Sequence, residues 1–571
     1  MRGRLFLLTF LLIFVHISFA QTGEKSKSGE IPDELKKEAT AFLRETASDV
    51  NTLRTLENRI SFSSELAGLM WFSNEKEARL MFQSVINDFR QLLSNYDAQF
   101  NANGTKEPSV EDYSFLTGRR NQSERKFRQA LAVRQQIAKA IAEHDPQLAL
   151  EFFSDTGAAI TNADFRKQTE QSDTYFEARL LNQIAEKDVD LALKYGRKTL
   201  SKGFNYEMIS LLKKIYAKDS EKGAAFGEEV VSKLKTDASK PEVLYSLTQV
   251  LDLGLDNQEE IKGKKDKRPM FSEQALRDIA EIVAQELLKR ENAESYEISS
   301  YLANIEKVLP ARASEIRRKF EIKQPTKTGT ATKIVSAPAP PPPAPMPKGS
   351  AGIAQNNQNN QNQLAENMKN LGTQKLSDEE RKKVILQSRK IIAESPNREQ
   401  RMFSLTALAI QTAKLGDKEL ASEIMNEVQS AINLQPKNYR EFIEVWLFAG
   451  SYAQVDAPKA FPILENAIFR LNDTISAFIK VGEFIDANNE FIDEGEVQVG
   501  GFGNEIIGEL LRNMGATDLT IRSLALADFG RTKDLTNKFD RTEVRILAKM
   551  LVLRSVFAGI SKPEQEDSDD N

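Results

Sequence analysis

The feature that most constrains the fold is a short phrase that recurs six times along the chain. In each copy an apolar stretch with helical spacing ends at an Asp or Asn, and a small residue follows four positions later. The pairs are Asn74 and Ala78, Asp145 and Ala149, Asp188 and Ala192, Asp219 and Gly223, Asp417 and Ala421, and Asp456 and Ala460. An Asp or Asn at a helix start accepts hydrogen bonds from free backbone N–H groups. The phrase therefore predicts the turn of a helical hairpin, and several hairpins in succession predict a solenoid.

The apolar spacing is helical through two long blocks, and no alternating strand pattern is found in them. The sequence predicts an all-α fold with an N-terminal helical-repeat domain at 32–320 and a C-terminal one at 376–560. Each block is expected to be a solenoid-like series of αα-hairpins. A disordered leader at 21–31 and an acidic disordered tail at 561–571 are expected at the two ends.

Residues 321–375 have the composition of a linker. Ala337–Pro347 reads APAPPPPAPMP, which is typical of a stiff polyproline II rod. Ala354–Gln363 is a polar Asn/Gln tract that cannot bury a core. We therefore predict a disordered Pro- and Asn/Gln-rich spacer over 321–375, with docking into a partner's aromatic groove as the less favoured interpretation of the prolines.

The C-terminal block begins with a clear helix-start signal. Ser377 and Glu380 have the spacing of a capping box, in which each side chain bonds to the other residue's backbone N–H. Gly416 is expected to end a later helix in the left-handed conformation that glycine adopts without strain. Both signals favour helices over this part of the chain.

The N-terminus has the pattern of a secretory signal peptide. Arg2 and Arg4 are followed by the apolar run Leu5–Phe14, and the small residue Ala20 marks a cleavage site. An uncleaved membrane anchor is the alternative, but the apolar run is short for a membrane span. We expect residues 1–20 to be removed and the chain to be exported to the periplasm or the extracellular space.

Composition excludes several kinds of site. The chain has no cysteine and two histidines, of which His16 lies in the signal and only His144 would remain. Most zinc sites and Ser-His or Cys-His nucleophile systems need these residues, so no metal, cofactor or catalytic site is predicted. The net charge of −5 argues against nucleic acid as a partner, because phosphate binding needs a basic face. A structural role at a helix end is preferred for His144 over a role as a base.

Other candidate sites in the sequence are weak. Val499–Gly503 is glycine-rich, but no phosphate-binding Lys follows it, so a hairpin between helices is favoured. Glu505 and Glu509 lie four residues apart, a spacing that arises often by chance among 83 acidic residues. Tyr113, Phe115 and Leu116 are apolar residues in a segment without helical spacing. These three are the candidate contacts for a partner.

The segment Leu405–Pro436 resembles a tetratricopeptide repeat, with Leu408, Ala409, Gly416 and Ala421 at the matching positions and Thr412 in place of the usual aromatic residue. The Asp145-Pro146 turn is similar to those of HEAT repeats. The chain thus resembles the helical-repeat superclass without matching a particular family. That resemblance implies a surface that binds proteins or peptides.

The sequence therefore favours an exported, non-catalytic protein-interaction module or scaffold of the cell envelope. The partner is expected to be a protein or peptide, with no nucleic acid and no membrane segment after signal cleavage. The alternative is a carboxylate-dependent envelope hydrolase built on a helical scaffold, which would need two acids facing each other across a cleft.

Overall fold

The computed structural model describes residues 32–104, 119–237, 243–262, 267–290, 295–320, 350–373, 376–484, 492–499 and 518–557. Nearly all of these residues are helical, so the predicted all-α repeat architecture is confirmed for the described part of the chain. The leader, the signal peptide and the acidic tail lie outside the described residues, as does the stretch 321–349 of the predicted linker.

In the first half of the chain the helices are α1 (Asp33–Val50), α2 (Leu56–Trp71), α3 (Glu75–Gly104), α4 (Arg119–Ala142), α5 (Pro146–Ala158), α6 (Ala163–Ile184), α7 (Val189–Lys202), α8 (Glu207–Lys218), α9 (Ser220–Asp237), α10 (Val243–Glu260), α11 (Glu273–Lys289), α12 (Ser295–Val308) and α13 (Pro310–Lys319). The second half contains α14 (Ser350–Thr373), α15 (Asp378–Ala393), α16 (Arg398–Lys414), α17 (Lys418–Ser430), α18 (Tyr439–Phe484), strands β1 (Ile492–Asp493) and β2 (Glu496–Val497), and α19 (Asp518–Ala527), α20 (Phe529–Thr536) and α21 (Thr542–Phe557).

The chain forms two compact units. Unit 1 combines Met1–Asp88 with Ala339–Asn571, and unit 2 is Phe89–Pro338. In unit 2 the helices pair in sequence as α4 with α5, α6 with α7, α8 with α9, α10 with α11, and α12 with α13. The second helices α7, α9, α11 and α13 pack side by side in that order, as expected for a solenoid.

An Asp with an extended backbone lies in the turns between several paired helices. At Asp188, φ is −139° and ψ is 95°, and Asp145 and Asp219 have nearly the same values. The backbone N–H of Asp188 donates to the carbonyl of Ile184 (2.8 Å), and its carbonyl accepts from the N–H of Ala192 (3.1 Å). One residue thus closes one helix and opens the next. We call this residue the hinge.

The predicted caps at these turns are confirmed. The side-chain oxygens of Asn74, Asp145, Asp188, Asp219 and Asp417 each accept a hydrogen bond from the N–H three residues later. Asp456 interrupts α18 with φ of −147°, so α18 is two helices joined by a hinge. The Ser377–Glu380 capping box and the positive φ of Gly416 are also present.

The hinge also occurs where the sequence pattern did not reveal it. Asp528 has φ of −160° and ψ of 94°, and its side chain accepts from the N–H of Arg531 at 2.8 Å. The residue four positions later is Thr532, so the small-residue half of the phrase is missing. The backbone carbonyl of Asp528 still accepts a hydrogen bond from the N–H of Thr532. At Leu309 (φ −134°, ψ 73°) the same two backbone bonds form with the small residue Ala313 but without a capping side chain, so neither half of the phrase is required for this turn.

The small residues of the phrase lie where two helices approach most closely. Ala149, Ala192 and Ala421 are fully buried. At Gly223 in α9, an added Cβ would lie 2.8 Å from the backbone nitrogen of Tyr216 in α8, closer than real Cβ atoms come. The approach of the two backbones across the hinge thus leaves no room for a side chain at Gly223.

The predicted division of the chain into two separate blocks is wrong at the N-terminal end. Residues 33–88 belong to unit 1, where α1 and α2 pack against α21 near the other end of the chain. Phe42 and Leu66 share one buried cluster with Met550 and Leu553. The N-terminal helices bury their apolar faces there because the C-terminal helix offers a matching apolar surface, which local sequence patterns do not reveal.

The predicted linker also ends earlier than expected. Residues 350–373 form helix α14, which packs against α15 and α16. Leu371 is buried in the C-terminal core, and Leu364 and Met368 pack against the same core. These three residues have the i, i+4, i+7 spacing of one helix face. The prediction of disorder over all of 321–375 is therefore wrong for this part.

A small β-hairpin interrupts the helices in unit 1. Ile492 pairs with Val497 and Asp493 with Glu496, in antiparallel register. The turn residues Glu494 and Gly495 have φ of 49° and 79°. Positive φ at both positions is the signature of a two-residue type I′ turn, in which the second residue is usually Gly. These strands were not predicted from the sequence.

The close approach at Gly223 leads to a stability prediction. We expect Gly223→Ala to lower the free energy of unfolding by about 1–3 kcal/mol, because the new methyl group overlaps the α8 backbone. The matched control is Gly68→Ala in α2, where no atom lies within 4 Å of an added Cβ. That change should raise stability by up to about 1 kcal/mol, because alanine favours helices over glycine.

Urea unfolding followed by circular dichroism measures both variants. A Gly223→Ala protein as stable as the wild type would contradict the close helix approach.

Candidate functional site

The residues predicted to contact a partner cannot be placed. Tyr113, Phe115 and Leu116 lie outside the described residues, as do Gly500–Gly503 and the pair Glu505 and Glu509. Their roles remain predictions from the sequence. The candidate site lies among described residues that the sequence pattern does not mark.

His144 lies at the end of α4, directly before the hinge Asp145, as the sequence predicts. The backbone N–H of His144 donates to the carbonyl of Ile141 at 2.9 Å. Burial lowers the pKa of His144, Glu143 opposes this effect, and Lys187 adds to it. The equivalent positions before the hinges Asp188 and Asp219 are Lys187 and Lys218, so a basic residue at this place recurs in successive repeats.

The lysines at this position connect neighbouring repeats. Lys187 donates through Nζ to the carbonyl of Glu143, and Lys218 donates to the carbonyl of Glu186 at 3.1 Å. Each ammonium group therefore caps the C-terminal end of the corresponding helix in the preceding repeat, where the helix dipole favours a cation. The repeated contact fixes the register of α4, α6 and α8. Its role is structural.

A deeply buried charge in unit 2 is also structural. Arg134 is 1% exposed and donates to Asp173 at 2.9 Å, to the Thr156 hydroxyl at 2.8 Å and to the carbonyl of Phe153. Burial raises the pKa of Asp173, and the Arg134 charge opposes that shift. At Gly157 a Cβ would lie 2.7 Å from the Arg134 guanidinium. The group ties α4, α5 and α6 together.

Two tyrosines form an exposed aromatic pair on unit 2. Tyr175 in α6 and Tyr206 at the start of α8 have ring centroids 5.5 Å apart and planes inclined by 43°. Tyr206 is 48% exposed and Tyr175 is half-buried. Tyr175 precedes Asp188, and Tyr206 precedes Asp219, by the same thirteen residues. The two rings thus occupy equivalent places in successive repeats, and we call them the tyrosine pair.

A charged group borders the tyrosine pair. Arg179 donates to the Glu207 carboxylate at 2.6 Å and to the hydroxyl of Tyr206 at 3.3 Å. The pKa of Arg179 is raised, and the largest cause is its hydrogen bond to Glu207. Lys202 forms an ion pair with Glu177 at 2.7 Å nearby in the same repeats. The pair therefore combines exposed aromatic surface with an oriented guanidinium group.

A buried asparagine holds Tyr206 in place. The side chain of Asn205 donates to the carbonyl of Thr174 at 3.4 Å and accepts from the N–H of Glu207 at 3.1 Å. Asn205 is 5% exposed, so both of its amide atoms are committed to fixing the start of α8 against α6. This arrangement presents Tyr206 on a backbone that is already ordered.

Unit 1 brings two buried carboxylates to one strand, which is the feature that a hydrolase would need. Glu496 is 8% exposed and Glu543 is 3% exposed. Glu496 accepts from the backbone N–H groups of Arg54 (2.7 Å) and Thr55 (3.2 Å) and from the Thr55 hydroxyl (2.9 Å). It therefore serves as the N-terminal cap of α2, from the far end of the sequence.

Glu543 and Asn58 complete the hydrogen bonding of the same strand. Glu543 accepts from the N–H of Val497 at 3.0 Å and pairs with Arg541. Asn58, which is fully buried, donates to the Val497 carbonyl and accepts from the N–H of Val499, both at 3.0 Å. Because these acids are engaged by backbone donors, they act as structural supports for the hairpin.

Two further properties hold for the described part of the chain. There, no group of three or more His, Asp or Glu side chains is arranged to hold a metal ion. Within the same ranges, no helix is both long and apolar enough to cross a membrane.

No protein-family model matches the chain, and no curated protein matches it. One solved structure is similar to it, described as a circular tandem repeat protein with novel repeat topology and enhanced subunit contact surfaces. The two are 13% identical with a TM-score of 0.15, over 91% of this chain and 98% of that chain. So low a score supports no inference about fold or function.

The carboxylate of Glu496 provides a stability test. We expect Glu496→Gln to lower the free energy of unfolding by about 1–3 kcal/mol, because an amide cannot accept from all the donors that face the carboxylate. The control is Glu494→Gln, an exposed residue in the adjacent turn, for which a change within about 0.5 kcal/mol is expected. Urea unfolding measures both changes, and equal effects would contradict the capping role of Glu496.

Proposed function

We propose that the protein is an exported, non-catalytic protein-interaction module or scaffold of the cell envelope, and that the tyrosine pair of unit 2 contacts its partner. The stacked helix pairs support a binding role, because such repeats present extended surfaces on rigid elements. Export to the periplasm or the extracellular space is proposed from the N-terminal sequence alone. Tyr113, Phe115 and Leu116 stay predicted contacts.

The observation that carries the proposal is the exposure of Tyr206 beside Tyr175 and Arg179. Tyrosine and arginine are enriched among the residues that contribute most to protein–protein binding. Asn205 and Glu207 already order this surface, so little conformational freedom is lost when a partner binds. The pair therefore has the chemistry and the rigidity of a binding surface.

The hydrolase alternative gains no support from Glu496 and Glu543. A general acid or base needs a lone pair or proton that can reach the substrate. Glu496 is occupied by three donors within 3.2 Å, and Glu543 holds a strand N–H. Their environment fits a structural role.

Affinity capture from the organism's own envelope extract, followed by quantitative mass spectrometry, tests the proposal. The wild-type chain is compared with the double variant Tyr175→Ala, Tyr206→Ala. We expect a specific protein to be recovered by the wild type and reduced at least about tenfold by the variant, because an interface centre that loses two aromatic anchors loses over about 1.4 kcal/mol of binding free energy.

The matched control is Tyr245→Ala, because Tyr245 is also an exposed tyrosine of unit 2, at 61% exposure in α10. Its capture profile should equal that of the wild type. Equal loss in both variants, or no loss in either, would contradict a binding role for the tyrosine pair. Turnover of a cell-wall or peptide substrate by the purified protein would contradict the non-catalytic function.

A further inference from the structure

We infer that residues 33–88 are the permanent partner of the C-terminal helices, so that the protein remains one assembly when its backbone is cut between residues 321 and 349. The surface on α21, α20 and the β-hairpin is then a docking site, and its occupant is the N-terminal segment of the same chain. This inference does not depend on the proposed function.

The first support is the apolar contact between the two segments. Phe42 of α1 is fully buried, and its ring lies 5.9 Å from that of Phe529 in α20, edge to face. Met550 and Leu553 of α21 are also fully buried in the same cluster. Without the N-terminal helices these C-terminal side chains would lose their cover. The contact thus has the character of a domain core, as in obligate interfaces.

The second support is a buried charge that needs both segments. The side chain of Lys549 in α21 is 3% exposed, and its Nζ donates to Glu45 at 2.8 Å and to Asp49 at 2.7 Å. Both acids belong to α1. Removing α1 would leave the ammonium group without its acidic partners in an apolar setting, which is strongly unfavourable.

The third support is hydrogen bonding of the backbone. The start of α2 has no local side-chain cap, and the carboxylate of Glu496 supplies one. In return, Asn58 of α2 bonds to the backbone of Val497 and Val499. Each segment therefore satisfies polar groups that the other leaves free, and separating them would cost hydrogen bonds on both sides.

This arrangement predicts a different result of cleavage from that expected for two domains joined by a tether. A tether holds two independent blocks together, so cutting it releases them. Here the part of the chain before the cut contains residues 33–88, which complete the core of unit 1. Cleavage in 321–349 should therefore yield a two-chain protein that stays associated.

The test uses the full chain with a protease recognition site, flanked by Gly-Ser spacers, inserted after Gly329. Cleavage is verified on a denaturing gel, and the native product is analysed by size-exclusion chromatography with light scattering. We expect one particle that contains both fragments in equal amounts and has the mass of the uncut chain. Two separate particles would overturn the inference. A cut product with twice the mass of the uncut protein would also overturn it, because a second copy would then supply the N-terminal helices.

A matched pair of variants locates the contact. Met550→Ala removes a buried side chain from the cluster shared with α1 and α2, and Met425→Ala removes an equally buried one from the core of α16–α18. We expect the cut Met550→Ala protein to separate into fragments at a lower urea concentration than the cut Met425→Ala protein. Equal shifts would contradict the interface, and both uncut chains keep their mass as a control.

Discussion

The architecture depends on one backbone arrangement, the single-residue hinge. At Asp145, Asp188 and Asp219 the backbone is extended, and the same residue donates its N–H to the preceding helix and accepts at its carbonyl from the next, so the two helices share a residue in their hydrogen bonding. The side chain supplies the remaining acceptor. So short a turn forces the two helices into close contact, and a small residue one turn later follows from that contact. The cap and the small residue are thus two consequences of one geometry.

Unit 1 depends on a different constraint, because it combines two segments that are far apart in sequence. The first backbone N–H groups of a helix have no partner within the helix, so they need an acceptor from elsewhere in the chain. At α2 the cap comes from Glu496, and the strand that carries Glu496 is bonded in turn by Asn58. These reciprocal bonds fix the hairpin against α2 while the apolar faces of α1 and α21 close around it. Polar satisfaction and apolar burial therefore select the same partner.

Much of the helical pattern could be predicted from the sequence, since caps and apolar spacing are local. Asp528 was missed because its small residue is replaced by Thr532. Helix α14 was missed because its Asn and Gln residues obscured the spacing of Leu364, Met368 and Leu371. The packing of α1 against α21 could not be predicted, because the two faces match only across the length of the chain. The tyrosine pair is visible only when repeats are aligned on their hinges.

That alignment explains why the pair exists. The hinge fixes where each helix ends, and the contacts of Lys187 and Lys218 with the preceding repeat fix its register along the solenoid. Residues at equal distances from successive hinges must then be neighbours in space, as Tyr175 and Tyr206 are. Side chains at the same position in successive repeats are therefore brought together by the hinges and need no further sequence signal to place them. Function can therefore change by substitution at one register position while the hinges, caps and buried small residues stay unaltered.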